Sequence, residues 1–175
     1  NKNGLLKTLS EKFSDGLLSK KEKIMNTIRI LAQSDAESWR TLWNDYLAVY
    51  QAQLSEEKSQ LTWQKLMVHP SINGWGAFND EGKMIGFVHT VCHPNTWGDG
   101  DSCLMEDLFV AQPYRRRGVA RQLIETVFTF ARVSGLERVY WHTNTDNDAA
   151  RALYAQLAWP TDTVQFRRDF PLKAV

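Results

Sequence analysis

Cysteine is scarce in this chain, with 2 in 175 residues. Cys92 and Cys103 are too few for a disulfide framework and lack C-x-x-C or Cys/His ligand spacing, so both read as buried thiols of a reducing compartment. No apolar stretch approaches the roughly 18 residues of a membrane span, and the longest apolar run in the first 25 residues is a pair, which excludes a signal peptide there. A surplus of either charge is missing too. Twenty-one Lys and Arg stand against 20 Asp and Glu, for a net charge of +1. Nothing global therefore favours nucleic acid or an anionic membrane. His69, His89, His93 and His142 show no H-E-x-x-H or paired spacing, so no metal site is expected. The phosphate-binding patterns G-x-x-x-x-G-K-S/T and G-x-G-x-x-G are absent as well. What the chain does have is 43% apolar and 11% aromatic residues, enough to fill one core at this length. A single globular domain in the cytoplasm is the expectation.

The first 25 residues differ from the rest, with six Lys against three acids. They read as a basic tail, upstream or appended, ahead of a domain over residues 26–175. Ile28 and Ile30 alternate with Arg29 as in a short strand. Ser34 or Asp35 is placed to cap a helix bearing Trp39, Trp43, Tyr46 and Tyr50 at spacings of three and four. Ser55 opens a second helix and Pro70 stops it. Strands follow at residues 75–78 and 84–91 about a loop with Gly82, then at residues 102–110, which hold two adjacent carboxylates. Helical periodicity returns from Val119 and ends at Gly135. A strand at 138–142, a helix from Asp146 to Leu157 and a last strand at 163–170 complete the pattern. The predicted fold is a single-domain α/β mixed sheet of order β-α-α-β-β-β-α-β-α-β(-β), with helices on both faces.

The densest chemical signal is the stretch from Leu108 to Ile124. A strand ends at Val110, Pro113 turns the chain, Arg115–Ala120 makes a compact basic loop, and a helix begins at once. Such a loop aims successive N–H groups and a helix N-terminus at one spot, which is how backbone holds phosphate. Arg115, Arg116 and Arg117 add charge there, although three Arg in a row also occur on ordinary solvated faces.

The segment Arg115-x-x-Gly118-x-Ala120 resembles the Gln/Arg-x-x-Gly-x-Gly/Ala signature of the GCN5-related N-acetyltransferases. Met105–Val110 is similar to the fourth strand of that family, and Val139–Thr143 with Asn147, Ala150, Leu153 and Tyr154 to its last conserved segment. Asn95–Trp97 and Phe166–Arg168 resemble a subgroup of small histone, polyamine and D-amino-acid acetyltransferases. The likeness spans residues 27 to 170. Ala120 takes the place of the commoner second Gly, and Leu157-Ala158-Trp159 stands where Gly-Phe is usual.

The resemblance implies acetyl-coenzyme A as co-substrate and a direct transfer of its acetyl group to a primary amine in a ternary complex. It places the pyrophosphate against Arg115, Arg116, Arg117, Gly118, Val119 and Ala120, the pantetheine arm along Leu108, Phe109 and Val110, and further coenzyme contacts at Asn147 and Tyr154. The Val110 N–H becomes the donor to the thioester oxygen, through a bulge expected around Leu108–Val110. An amine of pKa about 10.4 must give up about 4.6 kcal/mol to be neutral at pH 7, so a base helps. Glu106 is the family's carboxylate for that role, with Asp107 on the opposite face by period two; read without the motif, both are strand-surface acids. Tyr154 is the acid for the leaving thiolate; by helical face alone it is a core tyrosine. Asp99, Asp101, Glu106 and Asp107 favour a cationic acceptor: a small amine, polyamine, amino acid or protein lysine. Trp97 is a candidate at the acceptor site and His142 a candidate at its edge. The other class of reading is an acyl-coenzyme A sensing module with weak turnover. Expected partners are the amine and a second copy in a homodimer, with no nucleic acid, membrane or metal.

Overall fold

The computed structural model describes residues 26–170, in two compact units divided between His142 and Thr143. The predicted tail, apart from these, lies outside the described residues. In the first unit, β1 (Thr27–Ile30) leads through a 3-10 turn (Gln33–Asp35) into α1 (Ala36–Val49). Asp35 does not cap α1 with its side chain. Its carboxylate instead takes two hydrogen bonds from Arg29, at 2.6 and 2.8 Å, and one from the Ala32 N–H at 2.8 Å. A charge-assisted pair at a nearly buried carboxylate outcompetes a neutral cap. At α2 (Glu56–Val68) the expected cap does form, with Ser55 Oγ accepting from the Lys58 N–H at 3.3 Å.

Strands β2 (Ile72–Phe78), β3 (Met84–His93) and β4 (Ser102–Val110) form an antiparallel meander. Gly82 turns the β2–β3 loop at φ +76°, where Asn79 Oδ1 accepts from the Glu81 and Lys83 N–H groups. A second 3-10 turn (Gln112–Tyr114) carries the chain to α3 (Val119–Val133), and β5 (Arg138–Tyr140) returns parallel to β4. Sheet order follows chain order, β1-β2-β3-β4-β5.

Alternation along the strands sends side chains to two helical layers. On one face Trp39, Trp43, Trp63, Leu66, Phe87 and Phe109 pack under α1 and α2. On the other, Trp75 meets Phe130 of α3 at 5.0 Å between ring centroids, and Leu123, Ile124 and Val127 of that helix are fully buried. Each such side chain contributes about 1.5–3 kcal/mol by leaving water. The expected two-faced mixed sheet is therefore present.

The second unit is described by itself. It holds α4 (Asp148–Tyr154), whose start is fixed by a hydrogen bond from Arg151 to the Thr145 carbonyl at 2.7 Å. The helix is shorter than the Asp146–Leu157 expectation. The predicted last strand at 163–170 is not formed: these residues have no strand pairing and are exposed. Alternation of Val164 and Phe166 supplies a strand-like pattern, but a strand also needs a hydrogen-bonding partner.

Candidate active site

Strand β4 changes character along its length. Its first residues are paired on both sides, with β3 and with β5 through Ser102–Arg138, Cys103–Val139 and Leu104–Tyr140. Beyond Leu104 the β5 ladder stops, and no described strand pairs with Met105–Val110 on that side. The Ala111 N–H donates to Ile85 of β3 at 3.0 Å, so by alternation the backbone groups of Val110 and Leu108 turn away from β3, toward the open side. There the Val110 carbonyl accepts from Arg115 Nε at 2.8 Å.

The bulge expected around Leu108–Val110 lies elsewhere. Gly86–Val110, Phe87–Phe109 and Val88–Leu108 pair in regular register, and the slip falls where His89 faces Asp107 while Thr90 faces Met105. Glu106 is the extra residue. The open edge thus comes from the end of β5, and the bulge serves to break the side-chain alternation at Glu106. The period-two argument that set Glu106 and Asp107 on opposite faces does not apply across it.

The two adjacent carboxylates differ sharply. Asp107 is held from two directions: Tyr46 of α1 donates to Oδ1 at 2.7 Å, and His89 Nδ1 lies 3.0 Å from Oδ2. Trp39 Nε1 donates to His89 Nε2 at 3.0 Å. Since an indole N–H only donates, Nε2 must accept and Nδ1 carries the hydrogen that points at Asp107. Burial pushes the Asp107 carboxyl up, but the His89 and Tyr46 contacts outweigh it and hold the group below the usual range. Desolvation and the Asp107 charge raise the Tyr46 hydroxyl strongly. Glu106 is exposed and has none of these partners. Desolvation by the surrounding protein, and then the Asp107 charge, raise its carboxyl, against the opposing pull of His89 and Lys65.

The basic loop is compact. Gly118 is the N-cap of α3 at φ +84°, and Arg116 also has a positive φ, 63°. The backbone thereby turns sharply enough to start α3 within the loop, and helix geometry leaves the first-turn N–H groups without intrahelical acceptors. Arg115, Arg116, Arg117 and Gly118 are exposed, whereas Val119 is buried and anchors the helix start. Arg117 lies over the Tyr114 ring at 5.8 Å. Arg115 lies 5.6 Å from the Phe109 ring centroid, so besides adding charge it ties the loop to the open edge.

Asn147 and Tyr154 both belong to the second unit. Asn147 starts α4, its side chain donating to Thr143 Oγ1 at 3.1 Å, and Tyr154 is half-buried at the helix end. Trp97 is 95% exposed on the β3–β4 loop and so is no core anchor; Asp99 and Asp101 of that loop are exposed as well. His142 lies past the end of β5, with its ring edge-on to Tyr140. Cys103 is buried, and its hydrogen bond with the facing Cys92, together with burial, raises its thiol strongly. Among the described residues no group of three or more His, Cys, Asp or Glu could hold a metal ion, and no helix is long and apolar enough to cross a membrane. The sequence reading gave His89, Tyr46 and Trp39 no part in the site. No local pattern could have found them, because His89 meets its partners across 18 and 50 positions of chain.

The acetyltransferase (GNAT) family profile matches residues 36–159. The D-amino-acid N-acetyltransferase HPA3 of Saccharomyces cerevisiae is 32% identical over 154 residues, covering 85% of this chain and 95% of that protein. Among solved structures, the aminoglycoside N-acetyltransferase AAC(6')-Iy in complex with a coenzyme A bisubstrate analogue aligns with a TM-score of 0.73 at 21% identity, over 84% of this chain and 99% of that one. A ribosomal-protein-alanine N-acetyltransferase from Brucella melitensis biovar Abortus aligns with a TM-score of 0.68 at 20% identity, over 83% of this chain and all of that one.

Proposed function

The chain belongs to the acetyltransferase (GNAT) family and is an acetyl-coenzyme A-dependent acetyltransferase, and from that premise we propose that it acetylates a small cationic amine by direct transfer in a ternary complex. The observation that carries the proposal is the half-open β4, whose unpaired edge lies between a basic loop at one end and an unengaged carboxylate at the bulge. The loop Arg115–Ala120 holds the pyrophosphate through backbone N–H groups and Arg charge. Leu108, Phe109 and Val110 receive the pantetheine arm along the edge, where amide groups of the arm can complete the missing ladder. The N–H of Val110 faces that opening and donates to the thioester oxygen as negative charge develops on it.

Glu106, rather than Asp107, is the base. Both Asp107 oxygens are engaged and its carboxyl is lowered, which makes it a weak proton acceptor. Glu106 is exposed and raised, nearer the basicity that deprotonation of an ammonium needs. Tyr154, aligned with the family's terminal motif, returns a proton to the departing thiolate, and Asn147 contacts the coenzyme.

For the acceptor, the exposed carboxylate of Glu106 suits a protonated amine on arrival, with the Tyr46 hydroxyl held by the neighbouring Asp107. The yeast relative's D-amino-acid acceptors make a free amino acid the first compound to try. The test is a panel of amino acids of both hands, di- and polyamines, aminoglycosides and lysine peptides, followed by release of free thiol. Turnover of a free amine above the rate without acceptor is expected. Acetylation confined to peptides overturns the small-amine assignment.

A further inference from the structure

The chain Trp39–His89–Asp107–Tyr46, buried at its Trp39–His89 end and half-buried at Asp107 and Tyr46, is elaborate for a structural feature. His89 is 3% exposed and Trp39 fully buried, and the four side chains come from α1, β3 and β4, so their contacts depend on the finished fold. An apolar side chain at 89 would fill the same space between Phe87, Trp39 and Trp43 without any polar group to satisfy. What the imidazole adds is a hydrogen-bond donor aimed at one atom, Asp107 Oδ2, while Trp39 fixes which ring nitrogen carries the hydrogen. Asp107 in turn is the neighbour of the bulge residue.

We propose that His89 is a positioning residue for acetyl transfer, pinning the Asp107 carboxylate in place as a fixed anion behind Glu106. A fixed negative charge beside a second carboxylate favours that carboxylate's protonated form and strengthens it as a proton acceptor. Charge on Asp107 is sustainable in that half-buried position only while the imidazole and the Tyr46 hydroxyl both donate to it. The groups that bear on Glu106 are Tyr46 of α1, Lys65 of α2, His89 of β3 and Asp107 of β4. Lys65 acts against the Asp107 effect, whereas the neutral His89 ring bears on Glu106 through the carboxylate it holds. The inference rests on the base assignment of Glu106 only for its effect on rate, since the charge coupling itself is independent of catalysis.

The experiment is a carboxyl-carbon NMR titration of the full chain, in wild type, Asp107→Asn, His89→Leu and His89→Asn, with the pH dependence of kcat/KM measured alongside. Removing the Asp107 charge is expected to lower the Glu106 midpoint by about one pH unit. His89→Leu is expected to raise the Asp107 midpoint and lower that of Glu106, and to add nothing further in the double variant, because both changes act through one charge. His89→Asn, whose amide can still donate toward Asp107, restores the wild-type midpoints and guards against a Leu variant that fails to fold. A Glu106 midpoint unchanged in Asp107→Asn, or an Asp107 midpoint unchanged in His89→Leu, overturns the proposal. The base reading is judged separately: the acid limb of kcat/KM moves up toward the amine's own pKa in Glu106→Gln if Glu106 is the base, and a limb left at its wild-type position overturns that assignment while the NMR midpoints still decide the role of His89.

Discussion

The two ends of β4 are one strand with two occupations. From Ser102 to Leu104 it is an interior strand, bonded to β3 and β5 and shielded on both edges; from Met105 to Val110 it is paired, among the described residues, on one edge only. Within the second stretch Met105, Phe109 and Val110 stay buried and only Glu106 is exposed. The difference teaches that a binding edge needs no special sequence along the strand, only a neighbour that stops. A bulge just past the stopping point then turns one carboxylate toward chemistry and leaves the next to structure.

The sharpest way to break this comparison is at Glu106. Glu106→Gln should cost about a hundred- to ten-thousand-fold in kcat/KM at neutral pH, with partial recovery as the pH nears the amine's own pKa. Parallel pH–rate curves for the two proteins would instead make Glu106 a binding carboxylate. Next in size, Tyr154→Phe should lower kcat by about a hundredfold with the coenzyme dissociation constant nearly unchanged, because the hydroxyl acts after the ground state. A loss under about threefold would return Tyr154 to a packing role.

A smaller effect is expected at the loop end of the open edge. Gly118→Val forces a β-branched residue to φ +84°, and acetyl-coenzyme A binding should weaken about tenfold or more while circular dichroism stays native. Calorimetry decides this, and an unchanged dissociation constant in the folded variant removes the phosphate-loop assignment. Smallest is a control far from the edge. The Asp35 carboxyl is lowered by its Arg29 partner, so it contributes stability above its unfolded pKa and loses it as pH falls through the lower folded value. Asp35→Asn should cost about 1 kcal/mol near neutrality, given that Arg29 is partly exposed, and less at pH 3. Thermal melts at both pH values check this, and the coenzyme dissociation constant should not move.

Much of this arrangement was legible before any coordinates. Residues 102–110 read as one strand because their apolar and β-compatible run has clear ends, and Ser55, Gly82 and Gly135 mark their boundaries by local backbone chemistry alone. The position of the bulge was not legible. Period-two reasoning assumes an unbroken ladder, and the slip at Glu106 is set by how β3 and β4 meet, which neither strand encodes alone. His89 escaped for the same reason, since its meaning resides in Trp39, Asp107 and Tyr46 on other elements. Asp35 looked like a cap because the sequence cannot show Arg29 arriving first. At 163–170, side-chain alternation gave a strand reading without a partner to complete it.

The indole cluster beneath β3 has an experimental consequence. Trp39 stacks on Trp43 at 5.3 Å with 14° between planes and meets Trp63 at 5.0 Å. Chromophores this close exchange excitation, so the cluster should give this protein an exciton couplet in far-ultraviolet circular dichroism, where the intense indole transition lies. Because Trp39 also hydrogen-bonds His89, that signal is wired to the interior side of the bulge. An unlabelled optical readout of the α1–α2 layer is therefore built into the protein, separate from the Trp75–Phe130 contact under α3, and a titration with acetyl-coenzyme A or an amine can be followed through it without any added probe.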